Sequence, residues 1–196
     1  MAFISIPDLE SVYAHESNTV LLVAFFGLLW GIGAILFGKG IDYLGVSLSL
    51  PIMQGLINVV GTLMPVILRN PSELLTPTGL KLLTGTVIIL AGIIFFAIAG
   101  HNRDSKSRQT HSETPIKKNF RKGLIICLLA GIFGPMINFA FVYGAPLQEK
   151  AVATGASSLY AANVIWSIAL SAGFIINLLE LSLIHISEPT RLALIS

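Results

Sequence analysis

Residues 43–68 read YLGVSLSLPIMQGLINVVGTLMPVIL. No Asp, Glu, Lys, Arg or His interrupts this run, and it exceeds the roughly 20 residues a helix needs to cross a hydrocarbon core of about 30 Å. Its polar and helix-bending residues are not scattered. Ser47, Pro51, Gln54, Asn58, Thr62 and Pro65 follow one another at intervals of four, three, four, four and three, which places all six on one face of a helix. Such a stripe cannot face lipid, because polar groups at membrane depth need protein or water opposite them. The pattern predicts a membrane helix whose polar face turns to other helices or to a wet interior.

Working outward, four more uncharged stretches of spanning length appear, at residues 19–38, 82–100, 123–147 and 160–179. With 54% hydrophobic and 11% charged residues, the chain has too little polar side chain to cover a soluble globule of its size. The mean hydropathy of +0.82 says the same. None of the stretches alternates in polarity as the strands of a membrane barrel do, and helices satisfy their own backbone groups, as lipid demands. The expected fold is therefore all-α, a polytopic membrane helix bundle of about five transmembrane helices. Cys127 is the only cysteine, so neither a disulfide nor a zinc site can be built from the chain alone. We expect no metal and no cofactor.

The segment 101–122 carries Arg103, Lys106, Arg108, Lys117, Lys118, Arg121 and Lys122 against Asp104 and Glu113. Its basic excess predicts a cytoplasmic linker, and its Ser, Thr, Gln and Pro content predicts flexibility. Alternating outward places Lys39 and Arg191 on the same side, leaving Arg69, Lys81 and Lys150 opposite. The net charge of +2 is thus a matter of orientation and no sign of a nucleic-acid partner. Residues 1–18, with Asp8, Glu10 and Glu16, lack the basic and apolar regions of a signal peptide and are expected as a short extracytoplasmic segment. Residues 19–100 then hold three helices (19–38, 43–68, 82–100), and residues 123–181 hold two (123–147, 160–179). The tail 182–196, SLIHISEPTRLALIS, resembles a read-through artefact and is expected to be non-native.

Polar residues within the spans are the candidate site. Gln54 and Asn58 lie near mid-span, and their amides both donate and accept toward sugar-type hydroxyls. Hydrogen bonding between helices is the competing reading of the same stripe. Pro51 and Pro65 are expected to bend or locally unwind the helix. In the first span Gly27, Gly31, Ala34 and Gly38 form a small-residue face suited to close helix contact. Trp30 lies at mid-span, either stacking a sugar ring or simply packed. The fourth span offers Gly131, Gly134, Pro135 and Asn138, and the fifth offers Asn163, Ser167 and Ser171 on one face. We take Gln54, Asn58, Trp30, Thr62, Asn138 and Asn163 as the substrate-binding candidates. Titratable groups are absent from span centres, leaving Asp42, Glu149 and Glu180 at span ends. No HExxH, GxSxG, Walker loop or pair of intramembrane acids occurs, so no catalytic residue is assigned and no enzyme is expected.

Residues 25–68, from FFGLLWGIG through YLG and a following S-x-S to GTLMP, closely resemble the bacterial L-rhamnose-proton symporters of the drug/metabolite transporter superfamily. Trp30, Gly31, Gly33, Tyr43, Gly45, Gly61, Thr62 and Pro65 are family-like positions. The likeness continues in KGLIICLLAGIFGPMINFAF at residues 122–141 and, more weakly, through PLQEKA at 146–151, covering roughly residues 7–181. The resemblance implies a ten-helix carrier of two five-helix halves in the cell inner membrane, with a sugar bound between them and a proton cotransported by alternating access. This chain would supply the third to seventh helices, a partial fold of the drug/metabolite-transporter type. L-rhamnose or a similar sugar, the proton and the lipid bilayer are then the partners. Transport of another sugar or metabolite, and a non-transporting membrane assembly partner, are the alternatives.

Overall fold

The computed structural model describes residue 6 and residues 9–110 and 120–187. Of the segments discussed above, most of 1–8, the linker core 111–119 and the tail 188–196 lie outside the described residues. In chain order the helices are α1 (Leu9–His15), α2 (Ser17–Leu44), α3 (Val46–Arg69), α4 (Pro77–Thr110), α5 (Phe120–Phe133), α6 (Met136–Tyr143), α7 (Ala145–Ala153) and α8 (Asn163–Ser187), with a 3-10 turn at Pro71–Leu75. Five stretches are long and apolar enough to cross a membrane: Ser17–Leu44, Val46–Leu68, Pro77–Gly100, Phe120–Ala153 and Asn163–His185. Their outer surfaces suit no aqueous setting. Phe95 is 74% exposed, Leu21 69% and Ile88 67%, and apolar surface on that scale belongs against hydrocarbon.

The first loop is shorter than the charges at Lys39 and Asp42 suggest. α2 runs straight through both and stops at Leu44, and a single residue, Gly45, turns the chain into α3. Gly45 sits at φ 78°, where a side chain would be strained. Its amide still donates to the Ile41 carbonyl at 2.8 Å, and its own carbonyl accepts from the Ser49 amide at 3.1 Å and hydroxyl at 2.7 Å.

Of the two outcomes expected at Pro51 and Pro65, bending or local unwinding, the unwinding does not occur: α3 is continuous through both. Each proline removes one ladder hydrogen bond, and the flanking turns hold the helix. The fourth span breaks instead. α5 ends at Phe133, Gly134 makes a last 2.7 Å bond to the Ala130 carbonyl, and Pro135 separates it from α6. A residue before proline is driven out of the helical region, and here that residue is glycine, which resists least. A second interruption at Gly144 starts α7, with Pro146 in its first turn, where proline's missing N–H costs nothing.

Two other boundaries differ. α4 continues ten residues past Gly100 to Thr110, into what composition marks as linker. The segment 101–110 has no Gly or Pro to stop a helix already propagating. α8 likewise continues past residue 179 to Ser187, taking in the start of the tail. Nothing between 180 and 187 breaks a helix already propagating, and the next proline is Pro189.

The chain divides into two compact units, Met1–Ile35 with Met136–Ser196, and Leu36–Pro135. In the first, Leu9 and Val12 of α1, Val23 of α2, Ala140 of α6, Leu147 and Ala151 of α7, and Val164, Ile165 and Ala169 of α8 form one buried cluster. Phe26 stacks between Phe139 and Tyr143, with ring centroids 5.6 and 5.5 Å away. In the second unit, Leu44, Leu48, Ile52, Met53, Phe120, Cys127 and Ala130 form the core, with α3 packed on α4 and α5.

Candidate functional site

α3 shows how one helix sorts its residues. Leu48, Ile52 and Met53 are buried in the second unit's core, and Leu56 packs on Gly131, whose added Cβ would overlap the leucine side chain. Gly55 sits under Ile93 of α4, where an added Cβ would stand 3.0 Å from its Cδ1. Ser47, Gln54, Asn58 and Thr62 are all exposed. The three candidates Gln54, Asn58 and Thr62 are therefore presented together, spread along about 12 Å of helix axis. A buried hydroxyl of the same helix behaves differently: Ser49 is 0% exposed, and its bond to the Gly45 carbonyl satisfies it locally.

The other three candidates belong to the first unit. Trp30 is half-buried and packs its six-membered ring on Gly173, where an added Cβ would come within 2.7 Å of Cε3. Asn163 opens α8 and is half-buried. Ten residues of α8, about 15 Å, separate it from the Gly173 that Trp30 touches, so Trp30 and Asn163 stand at different depths. Asn138 is exposed on α6, one position before the buried Phe139.

The small-residue face of α2 is in part a contact. An added Cβ at Gly27 would overlap the Ala169 carbonyl, and one at Gly31 would stand 2.7 Å from the Gly173 carbonyl oxygen. Gly38 has nothing within 4 Å and Ala34 is exposed, so the face is used over its first half only.

Tyr13 escaped the sequence reading. Its hydroxyl lies 2.7 Å from Ser167 Oγ and 3.1 Å from the Val164 carbonyl, to which Ser167 Oγ also comes within 3.0 Å. One hydroxyl donates to the other while the second donates to the carbonyl, tying α1 to α8. Burial pushes the Tyr13 phenol above its ordinary value of 10.0, with the Ser167 bond opposing, so it stays neutral at physiological pH. The signal for this helix was Leu9, Val12 and Tyr13 at helical spacing behind the acidic residues. Asn177, also overlooked, satisfies itself by donating to the Gly173 carbonyl at 2.9 Å.

Two cavities among the described residues bear on a site. One of about 440 Å³ is lined by Ala145, Gln148, Glu149 and Val152, and one of about 160 Å³ by Ser47, Leu48, Phe96, Ala99 and Gly100. None of the six candidates lines either. Glu180, read as a span-end residue, falls within the apolar helix Asn163–His185 and is half-buried. No metal-ligating cluster occurs among the described residues.

Comparison with known proteins follows the same line. A family model described as L-rhamnose-proton symport protein matches residues 1–195. An L-rhamnose-proton symporter of Yersinia pestis bv. Antiqua is 35% identical over 181 residues, covering 91% of this chain and 52% of that protein. One from Mannheimia succiniciproducens is 36% identical over 176 residues, covering 88% of this chain and 50% of the relative. The chain thus spans about half the length of the curated relatives it matches. No solved structure matches it.

Proposed function

We propose, from the premise that this chain belongs to the L-rhamnose-proton symport protein family and is a multi-pass membrane protein, that it forms part of a sugar-proton symporter. The sugar is L-rhamnose or a close relative, moved across the cell inner membrane by alternating access. The observation that carries this reading is the exposed stripe on α3. Gln54, Asn58 and Thr62 are exposed, whereas Leu48, Ile52 and Met53 of the same helix are buried. In hydrocarbon, three unsatisfied polar side chains in a row would each cost kcal/mol, so the face needs a wet or polar cover. Amides and hydroxyls on a 12 Å strip suit a polyol, because each group can donate or accept as the ring turns. Trp30, Asn138 and Asn163 are proposed as contributors from the first unit.

In this arrangement residues 1–18 lie outside the membrane and the basic segment 101–122 inside. The chain supplies the middle helices of a larger bundle. The test is uptake of labelled L-rhamnose by cells expressing the full product of the gene. Accumulation that collapses with a protonophore is expected, and accumulation indifferent to it would remove the symport reading. Competition by other deoxysugars then ranks the substrates.

A further inference from the structure

Three membrane spans come together at one level in the second unit. Val46–Leu68 begins there, Pro77–Gly100 ends there and Phe120–Ala153 begins there. The contacts fix this meeting point: a Cβ added at Gly100 would overlap Leu48 and stand 3.1 Å from Cε2 of Phe120. At the same level lies the smaller cavity, about 160 Å³, lined by Ser47, Leu48, Phe96, Ala99 and Gly100. Leu48 and Gly100 are buried, whereas Ser47, Phe96 and Ala99 are exposed, so the crevice is open to whatever surrounds the helices. Apart from the Ser47 hydroxyl its lining side chains are apolar. Its volume falls below the roughly 300–1,000 Å³ of compact small-molecule sites, and it suits a slender chain better than a ring.

Charge begins where the apolar spans stop. Phe120, 7% exposed, is followed by Arg121 and Lys122, both exposed. Lys122 Nζ lies 5.5 Å from the centroid of the half-buried Tyr43 ring, within the roughly 6 Å of a cation–π contact. A Cβ added at Gly123 would stand 2.8 Å from Tyr43 Cβ, so the start of α5 is seated on the end of α2. Among the described side chains at this end of the unit, the cations Lys39, Arg121 and Lys122 outnumber the one acid, Asp42.

We propose that the crevice and the Arg121–Lys122 pair beside it hold one anionic phospholipid of the bilayer, a length of acyl chain along Phe96 and Ala99 and the phosphate beside the two cations. Each half of the lipid answers one half of the site. A zwitterionic lipid fills the crevice but brings no net charge to the cations, and a soluble phosphate meets the cations but leaves the crevice bare. Basic residues at the end of a span strengthen the hold on an anionic headgroup by about five-fold each. Ser47 can donate its hydroxyl to an ester carbonyl of the glycerol backbone. Gln54 lies seven residues, about 10 Å, further along α3, so a lipid here leaves the mid-span stripe open, and the proposal is independent of which solute is carried.

The experiment titrates fluorescent phosphatidylglycerol, and phosphatidylcholine with the same acyl chains, into the full gene product in detergent. Phosphatidylglycerol should bind at least about 10-fold tighter. Arg121→Gln combined with Lys122→Gln should remove that preference, and Lys81→Gln, at the other end of α4, should leave it intact. Ala99→Phe fills the crevice from an exposed position and should weaken both lipids at least about five-fold at an unchanged melting temperature. Should that variant fail to insert, Ser47→Leu blocks the same space. Equal binding of the two lipids overturns the proposal, as does an equal loss of preference in Lys81→Gln. Undiminished binding in the folded crevice variant overturns it too, and displacement of the lipid by millimolar glycerol 3-phosphate would reduce the site to a plain anion patch.

Discussion

The small-residue face of α2 and the polar stripe of α3 have the same helical period, yet they meet opposite fates. Gly27 and Gly31 are pressed against the α8 backbone at Ala169 and Gly173. Gln54, Asn58 and Thr62 stay exposed. Periodicity identifies a face; what covers it depends on side-chain volume and chemistry. Glycine removes the atoms that keep backbones apart, so its face closes by contact. Amides need partners that an apolar helix does not have, so their face stays open until something polar covers it.

This contrast is broken most severely at Gly31. Gly31→Leu, and equally Gly27→Leu, would drive a side chain into the α8 backbone, and we expect a loss of well over the 1–3 kcal/mol usual for overpacking, read as failure to insert or a large fall in melting temperature in detergent. Gly38→Leu, with nothing within 4 Å, should leave the melting temperature unchanged. Equal damage at Gly38 would show that the face is not divided as described.

Gln54→Leu and Asn58→Leu sharpen the other half. Both should lower L-rhamnose uptake roughly 10- to 100-fold, as expected when a site built to hydrogen-bond loses its partner, with melting temperature kept or slightly raised. A fall in stability matching the fall in uptake would reassign the stripe to helix packing. The smallest effect is expected at Tyr13→Phe, which removes one hydroxyl from the three-way contact with Ser167 and Val164 and should cost about 0.5–1.5 kcal/mol. Full stability in that variant would mean that the hydroxyl contact adds nothing to the apolar packing of Leu9, Val12 and the residue 13 ring.

The spans were legible because uncharged length is nearly all that a bilayer requires of a helix. Interruptions were not. Pro51, Pro65 and Pro135 look alike in sequence, but only Pro135 follows a glycine, and only there does the helix stop. The ends of α4 and α8 ran past their apolar stretches because a formed helix propagates through any residue that does not oppose it. Within the candidate site, the α3 stripe was readable from spacing alone. Tyr13 was hidden because its partner, Ser167, lies 154 residues away in sequence.

Gly45 joins two membrane helices with one residue. A connection that short stores no slack: a tilt imposed on the end of α2 must be passed to the start of α3, because no intervening loop can absorb it. The pair behaves as a bent lever rather than as two rods on a string, and lengthening the joint by a few flexible residues should let each arm swing alone.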